Sequence, residues 1–208
     1  MRSTLVTDGS SDEVLVPILG WLLGQRTTVP IELQWADTRN LPERPGTLQE
    51  RVQAAVALYP CELLFVHRDA EREPRARRVD EIRAALRGLR DAPPAVCVVP
   101  VRMQEAWLLF NEAALRSAAG CPNGKMALDL PPLSRIERLP DPKDQLHTLL
   151  RQASGLQGRR AKKFRPQVQA HRLSELIDDF SPLRRLPAFR ALEAELDEIL
   201  AQLLGSRT

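Results

Sequence analysis

No apolar run in this 208-residue chain approaches the roughly 20 residues that a membrane-spanning helix needs. The opening stretch, MRSTLVTDG, lacks the apolar core of a secretory signal, so the expectation is a soluble, cytoplasmic protein. Cysteine is scarce. Cys61, Cys97 and Cys121 are odd in number and widely spaced, which excludes a disulfide framework or a zinc knuckle and leaves reduced thiols as the expectation. No phosphate-binding GxxxxGK(S/T) loop occurs, so any ATPase activity would have to come from a partner chain. Internal repeats and low-complexity tracts are missing as well.

The composition that is present is globular. Hydrophobic residues make up 43% and charged residues 27%, which excludes disorder and collagen-like repetition and is enough for one sizeable core. The net charge is only +3, carried by 26 Arg and 4 Lys against 27 acids. Its distribution is uneven: Gly155 to Arg172 holds Arg159, Arg160, Lys162, Lys163, Arg165 and Arg172 without one acid. A local basic patch points to a polyanion such as DNA or RNA more directly than net charge does. A solvated loop beside a helix would read the same way, and both readings stay open.

Hydrophobic periodicity divides the first half into alternating strands and helices. Ser3 to Thr7 is a short β-type run ended by Asp8-Gly9, and a helical pattern follows from Asp12 to Leu23, with Gly24 as its stop. Val29 to Ala36 alternates as a second strand, and Leu48 to Leu58 has helical spacing. Leu63 to Val66 is apolar on both faces, as in a buried parallel strand. Arg75 to Leu89 is an amphipathic helix with Pro74 at its start, and Ala95 to Val101 is another buried strand with Pro100 at its end or on an edge. This order predicts an α/β fold with a mostly parallel sheet covered by helices on both faces. Past Gly120 the chain is proline-rich, and then helical: Asp141-Pro142 caps and opens a helix through Leu150, with two more at His171 to Phe180 and Ala188 to Leu204. The expected organisation is an α/β domain over residues 1–119, with a connector and helical extension over 120–208 packed on it.

Ligands of such sheets gather outside the carboxyl ends of the strands, and there the acids recur. Asp8 ends the first strand and Asp12 opens the next helix; Asp69 and Glu71 follow the LLFV strand; Glu105 follows the AVCVVPV strand. Clustered carboxylates repel one another and hold their protons more tightly unless a cation sits among them. Hard oxygen donors suit Mg²⁺ or Mn²⁺, and two such ions serve phosphoryl transfer by stabilising both attacking and leaving oxygens. Each acid also has a plain structural reading. Asp8-Gly9 is a good turn, Asp12 a favourable helix-start acid, and Asp69 and Glu71 have Arg68, Arg72 and Arg75 close by in sequence. The recurrence at three strand ends favours a site.

This arrangement resembles the TOPRIM domain: Asp8-Gly9-Ser10-Ser11-Asp12 after the first strand, Asp69-Ala70-Glu71 after a later buried strand, and Val101 to Trp107 leading to Glu105. It is most similar to small TOPRIM-like proteins related to the OLD-family nucleases, many of them associated with bacterial anti-phage defence. The resemblance covers about Met1 to Ala119, and Leu139-Pro140-Asp141-Pro142-Lys143 with the helical tail also resembles that group. It implies a Rossmann-like sheet and a Mg²⁺- or Mn²⁺-dependent nuclease, or the nuclease subunit of a defence system. The TOPRIM glutamate then falls on Asp8, the second acid of the nuclease variant on Asp12, the DxD pair on Asp69 and Glu71, and the final acid on Glu105. Asp stands where the family has Glu at position 8, and Glu where it has Asp at position 71. A lysine assists near the scissile phosphate in related nucleases, and Lys143 or Lys162 would fill that role. The basic residues Arg159, Arg160, Lys162, Lys163 and Arg165 would contact nucleic-acid phosphates.

Other readings compete. Asp8 to Asp12 is also similar to the DxSxS metal motif of von Willebrand A-type modules, which bind a partner acid through one Mg²⁺. That motif expects Ser at position 12 and a threonine after a middle strand. A haloacid dehalogenase-type phosphatase needs an Asp where Ser10 stands. A TOPRIM fold that binds nucleic acid or a complex partner without cleaving is the third alternative. His67, two residues before Asp69, faces the same side if the strand persists, while His147 and His171 carry no motif. Trp21, Trp35 and Trp107 lie in apolar elements and read as core.

Overall fold

The computed structural model describes residues 1–39 and 41–205. Strand β1 (Arg2–Val6) leads through a 3-10 turn (Ser10–Val14) into helix α1 (Leu15–Gly24). There follow β2 (Glu32–Trp35), α2 (Leu48–Leu58), β3 (Leu63–His67), α3 (Arg75–Arg87) and β4 (Ala95–Val98). A second 3-10 turn (Gln104–Leu108) precedes α4 (Glu112–Ala118), and a third (Leu133–Arg138) precedes α5 (Pro142–Ser154). The chain closes with α6 (Gly158–Lys163), α7 (Pro166–Leu176), a 3-10 turn (Ser181–Arg185) and α8 (Pro187–Gly205).

The four strands form one sheet in the order β2-β1-β3-β4, and every pairing is parallel. Leu5 lies opposite both Trp35 and Phe65, and Phe65 opposite Val96, so the bulky side chains stack in register across the sheet. Successive residues of each strand feed opposite faces. Leu5, Phe65, Val96 and Val98 join α1, α4, α5, α7 and α8 in the larger core cluster. Val6, Leu64, Val66 and Cys97 join Val52 and Ala55 of α2 and Ile82 of α3 in the smaller one. With both faces covered, all five residues of β3 are buried, which is why its sequence reads as a continuous apolar run.

Helices of the 120–208 stretch complete the larger cluster, since Leu146, Leu149 and Leu150 of α5, Leu173 of α7 and Phe189, Leu192 and Leu196 of α8 are buried in it. Trp107 and Phe189 meet edge to face with centroids 5.3 Å apart, an arrangement that adds to the burial of both rings. The ends of α5 follow from local chemistry. Asp141 accepts from Asp144 N, Pro142 occupies the first turn, and Gly155 at φ 61 takes the left-handed position after the last turn.

Several boundaries differ from the periodic pattern. The Asp12 side chain turns back to accept from Gly9 N at 3.0 Å, holding a 3-10 turn, so α1 begins three residues later. Pro30 cannot donate to a ladder, and β2 starts only at Glu32. Pro100 ends β4 early, at Val98 in place of Val101. Helix α7 begins at Pro166 rather than His171, using the proline as a first-turn residue. Two short helices, α4 and α6, were not expected from the pattern. All three cysteines are free, with Cys97 buried and Cys61 and Cys121 partly so. Among the described residues no helix is long and apolar enough to cross a membrane.

Candidate functional site

Strands β1, β3 and β4 are neighbours in the sheet and all parallel, so their carboxyl ends open on one edge. Beyond β3 and β4 the two loops continue to pair. Arg68 N donates to Val98 O, Ala70 N to Pro100 O, and Glu71 N to Arg102 O at 3.2, 3.1 and 2.8 Å. This extended ladder holds Asp69 against the turn that carries Gln104 and Glu105. The loops then reverse sharply, with Glu71 at φ 55 and Arg102 at φ 65, both left-handed.

A group of polar side chains is sealed at this edge. Asp12, His67, Gln104 and Glu105 are 6, 1, 1 and 4% exposed. Gln104 ties two of the acids together: its backbone N–H donates to Asp69 Oδ1 at 2.9 Å and its side-chain amide to Asp12 Oδ1 at 2.8 Å. Ser11 and the Gly9 N–H also donate to Asp12. Glu105 Oε1 pairs with Lys143 Nζ at 3.0 Å, while Glu105 Oε2 is buried without a hydrogen-bond partner, as is Gln104 Oε1.

The tautomer of His67 follows from its surroundings. Its Nδ1 lies 3.0 Å from Val98 O, and a carbonyl oxygen only accepts, so Nδ1 carries the hydrogen. Burial pulls the pKa of His67 below the usual value, against the upward pull of Asp12 and the other acids, so the ring is neutral near pH 7. Its Nε2 therefore presents a lone pair, 3.4 Å from Asp69 Oδ1 and 4.0 Å from Asp12 Oδ2. Electron-rich atoms face one another there, an arrangement that a proton or a cation between them relieves. Asp69 responds accordingly: burial, then the charges of Glu105 and Asp12, raise its pKa to about 8. Burial works to lower the pKa of Lys143, but the attraction of Glu105, Asp12 and Asp69 outweighs it and holds the ammonium above its usual range.

The candidate acids do not all converge. Asp12, Asp69 and Glu105 come together with Lys143, whereas Asp8 is half exposed and held between Arg51 Nη1 at 2.5 Å and Arg68 Nε at 3.0 Å. Glu71 turns away and pairs with Arg78 at 3.0 Å. Among the described residues no group of three or more His, Cys, Asp and Glu side chains is arranged to hold a metal ion; Asp8, Glu71 and Glu105 pair with arginine or lysine, and Asp12 and Asp69 accept from Gln104. Three features of the group remain unbalanced. They are the orphaned Glu105 Oε2, the unprotonated Nε2 of His67 beside Asp69, and an Asp69 carboxyl whose pKa is raised by burial and then by the charges of Glu105 and Asp12.

The basic candidates lie elsewhere. Arg159, Arg160, Lys162 and Lys163 project from α6 and Arg165 caps α7; all five are exposed, and none has a carboxylate partner among the described residues. Among the described residues Lys162 makes no ion pair with Asp12, Asp69 or Glu105, whereas Lys143 reaches Glu105.

Sequence reasoning did not single out Gln104, which bridges Asp12 and Asp69, and placed neither His67 nor His147 among the site residues. His147 lies one helical turn after Lys143, with burial lowering and Glu105 raising its pKa. The i, i+4 spacing of Lys143 and His147 was the signal that both face the acids. Compared with known proteins, the chain matches no protein-family model, no curated protein and no solved structure.

Proposed function

We propose that this protein is a divalent-metal-dependent nuclease with a TOPRIM-like site, or the nuclease subunit of a bacterial anti-phage defence system. The observation that carries this reading is the set Asp12, His67, Asp69 and Glu105 gathered at the carboxyl edge of a parallel sheet, three of them buried, with Glu105 Oε2 unpartnered and His67 Nε2 facing Asp69 Oδ1 at 3.4 Å. Asp12, Asp69 and Glu105 would hold Mg²⁺ or Mn²⁺, with Asp8 joining by giving up Arg51 or Arg68. Such an ion supplies an activated water and stabilises charge on the leaving oxygen. Gln104 keeps Asp12 and Asp69 at a set separation, the Val98 carbonyl fixes the His67 ring, and Lys143 offers a cation to a phosphate oxygen at the rim.

The basic patch suits the rest of a nucleic-acid strand. Lys143 stands in the first turn of α5 and the patch follows its last, and 13 helical residues span about 20 Å at 1.5 Å per residue. That is about six phosphates along one strand of a duplex. The test is Mn²⁺-dependent cleavage of single- and double-stranded DNA and RNA by the wild type, Asp69→Asn and Glu105→Gln. Cleavage lost in both variants supports the reading; a wild type that neither cleaves nor gains thermal stability with millimolar Mn²⁺ overturns it.

A second reading, a nucleic-acid-binding or complex-forming subunit that does not cleave, is favoured by the ion pairs that hold Asp8 and Glu71 on arginines. It predicts Mn²⁺ and nucleic-acid binding with no turnover.

A further inference from the structure

Beside the acid cluster, where the Asp69 loop runs into α3, lies a cleft of about 470 Å³. Its lining includes four arginines, Arg72, Arg77, Arg78 and Arg102, and three acids, Glu71, Glu73 and Asp141. All three carboxylates are already engaged. Glu71 pairs with Arg78 at 3.0 Å, Glu73 with Arg77 at 2.8 Å, and Asp141 accepts from Asp144 N at 2.9 Å as the cap of α5. Arg72 and Arg102 are left with no carboxylate partner among the described residues.

One helix end adds to this positive bias, and a strained backbone marks one of the arginines. The cleft is bordered by the residues that open α3 and by Pro140 and Asp141, which precede α5, and both helices are 13 residues long. The amino end of α3, which no side chain caps, brings partial positive charge to this space, whereas that of α5 is met by Asp141. Arg102 also holds a left-handed backbone, φ 65, with its carbonyl fixed by Glu71 N at 2.8 Å. An arginine adopts that conformation at a cost, where glycine would not.

We propose that this cleft grips the phosphomonoester at the end of a nucleic-acid strand, with Arg72 and Arg102 as the gripping cations. A terminal phosphomonoester carries about −1.5 to −2 charge at neutral pH and three acceptor oxygens. It matches two free guanidiniums better than an internal diester, which has a single charge. Guanidiniums bind such groups through paired, charge-assisted hydrogen bonds. Because the cleft adjoins Asp69 through Glu71, a strand seated by its end is presented to the acid cluster at a set distance from that end. The inference rests on the nucleic-acid reading above and adds substrate selection by end chemistry.

The test is fluorescence anisotropy in EDTA, with short single-stranded oligonucleotides that carry a 5′-phosphate, a 3′-phosphate or hydroxyls at both ends, the dye being internal. One phosphorylated end should bind about tenfold or more tighter than the hydroxyl form. Arg72→Gln and Arg102→Gly should each erase that preference, weakening the phosphorylated form several-fold more than the hydroxyl form. Arg102→Gly should also melt at or above the wild-type temperature, since it relieves the backbone while removing the cation. Equal binding of phosphate and hydroxyl ends by the wild type overturns the proposal. So does a nucleoside monophosphate that displaces the phosphorylated strand as effectively as the unlabelled strand itself, because the cleft would then belong to a free nucleotide. End-dependent binding without Mn²⁺-dependent cleavage refutes the nuclease and leaves the cleft standing. Cleavage with no end preference in binding does the reverse.

Discussion

Lys143 Nζ lies 3.0 Å from Glu105 Oε1, joining the first turn of α5 to the turn after β4 and so tying the 120–208 stretch to the edge of the sheet. The lysine is 39% exposed and the glutamate 5%, so the burden of an unpaired charge would fall on Glu105. Lys143→Met is expected to destabilise the metal-free protein by about 1–2 kcal/mol, below the 3–5 typical of breaking a fully buried pair because water still reaches the lysine. Millimolar Mn²⁺ should raise the melting temperature of this variant more than that of the wild type, since the ion replaces the missing cation. An equal shift in both would place the ion away from Glu105.

Asp69 has a folded pKa of about 8 against an ordinary value of 3.8. Between those values the folded state holds a proton that the unfolded state has released, so this group makes stability fall as pH rises through the window. In EDTA the wild type should lose stability from about pH 4 toward pH 8 with a slope contribution of at most about 1.4 kcal/mol per pH unit. Asp69→Asn should flatten that slope, and chemical denaturation across the pH range measures it. An unchanged slope in the variant would show that Asp69 titrates normally.

Asp8 separates two roles. If it serves only as a partner of Arg51 and Arg68, Asp8→Asn costs a few tenths of a kcal/mol to about 1 kcal/mol, as for half-exposed ion pairs, and leaves the Mn²⁺-dependent melting shift intact. The metal-site reading expects that shift to shrink clearly. Thermal melts with and without Mn²⁺ decide between them.

The α6–α7 patch makes a prediction about salt. Replacing Arg159, Arg160, Lys162, Lys163 and Arg165 by glutamine should weaken binding to every sequence alike. It should also flatten the plot of log affinity against log salt by about 0.9 for each duplex phosphate that the variant no longer neutralises. An unchanged slope returns the patch to a solvated surface.

Much of the architecture is legible in the chain because it follows from local chemistry. The continuous apolar run of β3 requires two covered faces, Asp141-Pro142 caps α5, and Thr47 with Glu50 closes a capping box at the start of α2. Asp8, Asp12, Asp69, Glu71 and Glu105 were legible as a set because they follow strand ends. The parting of Asp8 and Glu71 from that set was not, because it depends on an arginine 43 residues away, Arg51, and on a left-handed turn at Glu71. Gln104 was invisible for the same kind of reason: it is an ordinary amide in sequence, and 92 residues separate it from the Asp12 side chain that it fixes.

By itself, then, the sequence determines what periodicity and capping can carry: an alternation of strands and helices, parallel pairing, and acids at the carboxyl ends of β1, β3 and β4. Only the tertiary structure decides which of those acids are buried together and which are drawn off to arginines. That outcome is set by contacts between distant segments. Lys143 reaches Glu105 because α5 packs on the turn after β4, His67 presents the Nε2 lone pair because its Nδ1–H donates to the Val98 carbonyl, and Arg72 and Arg102 remain free because their acidic neighbours are held by others. Charge and burial at one point are sums over everything that folds around it, and no local pattern in the chain contains that sum.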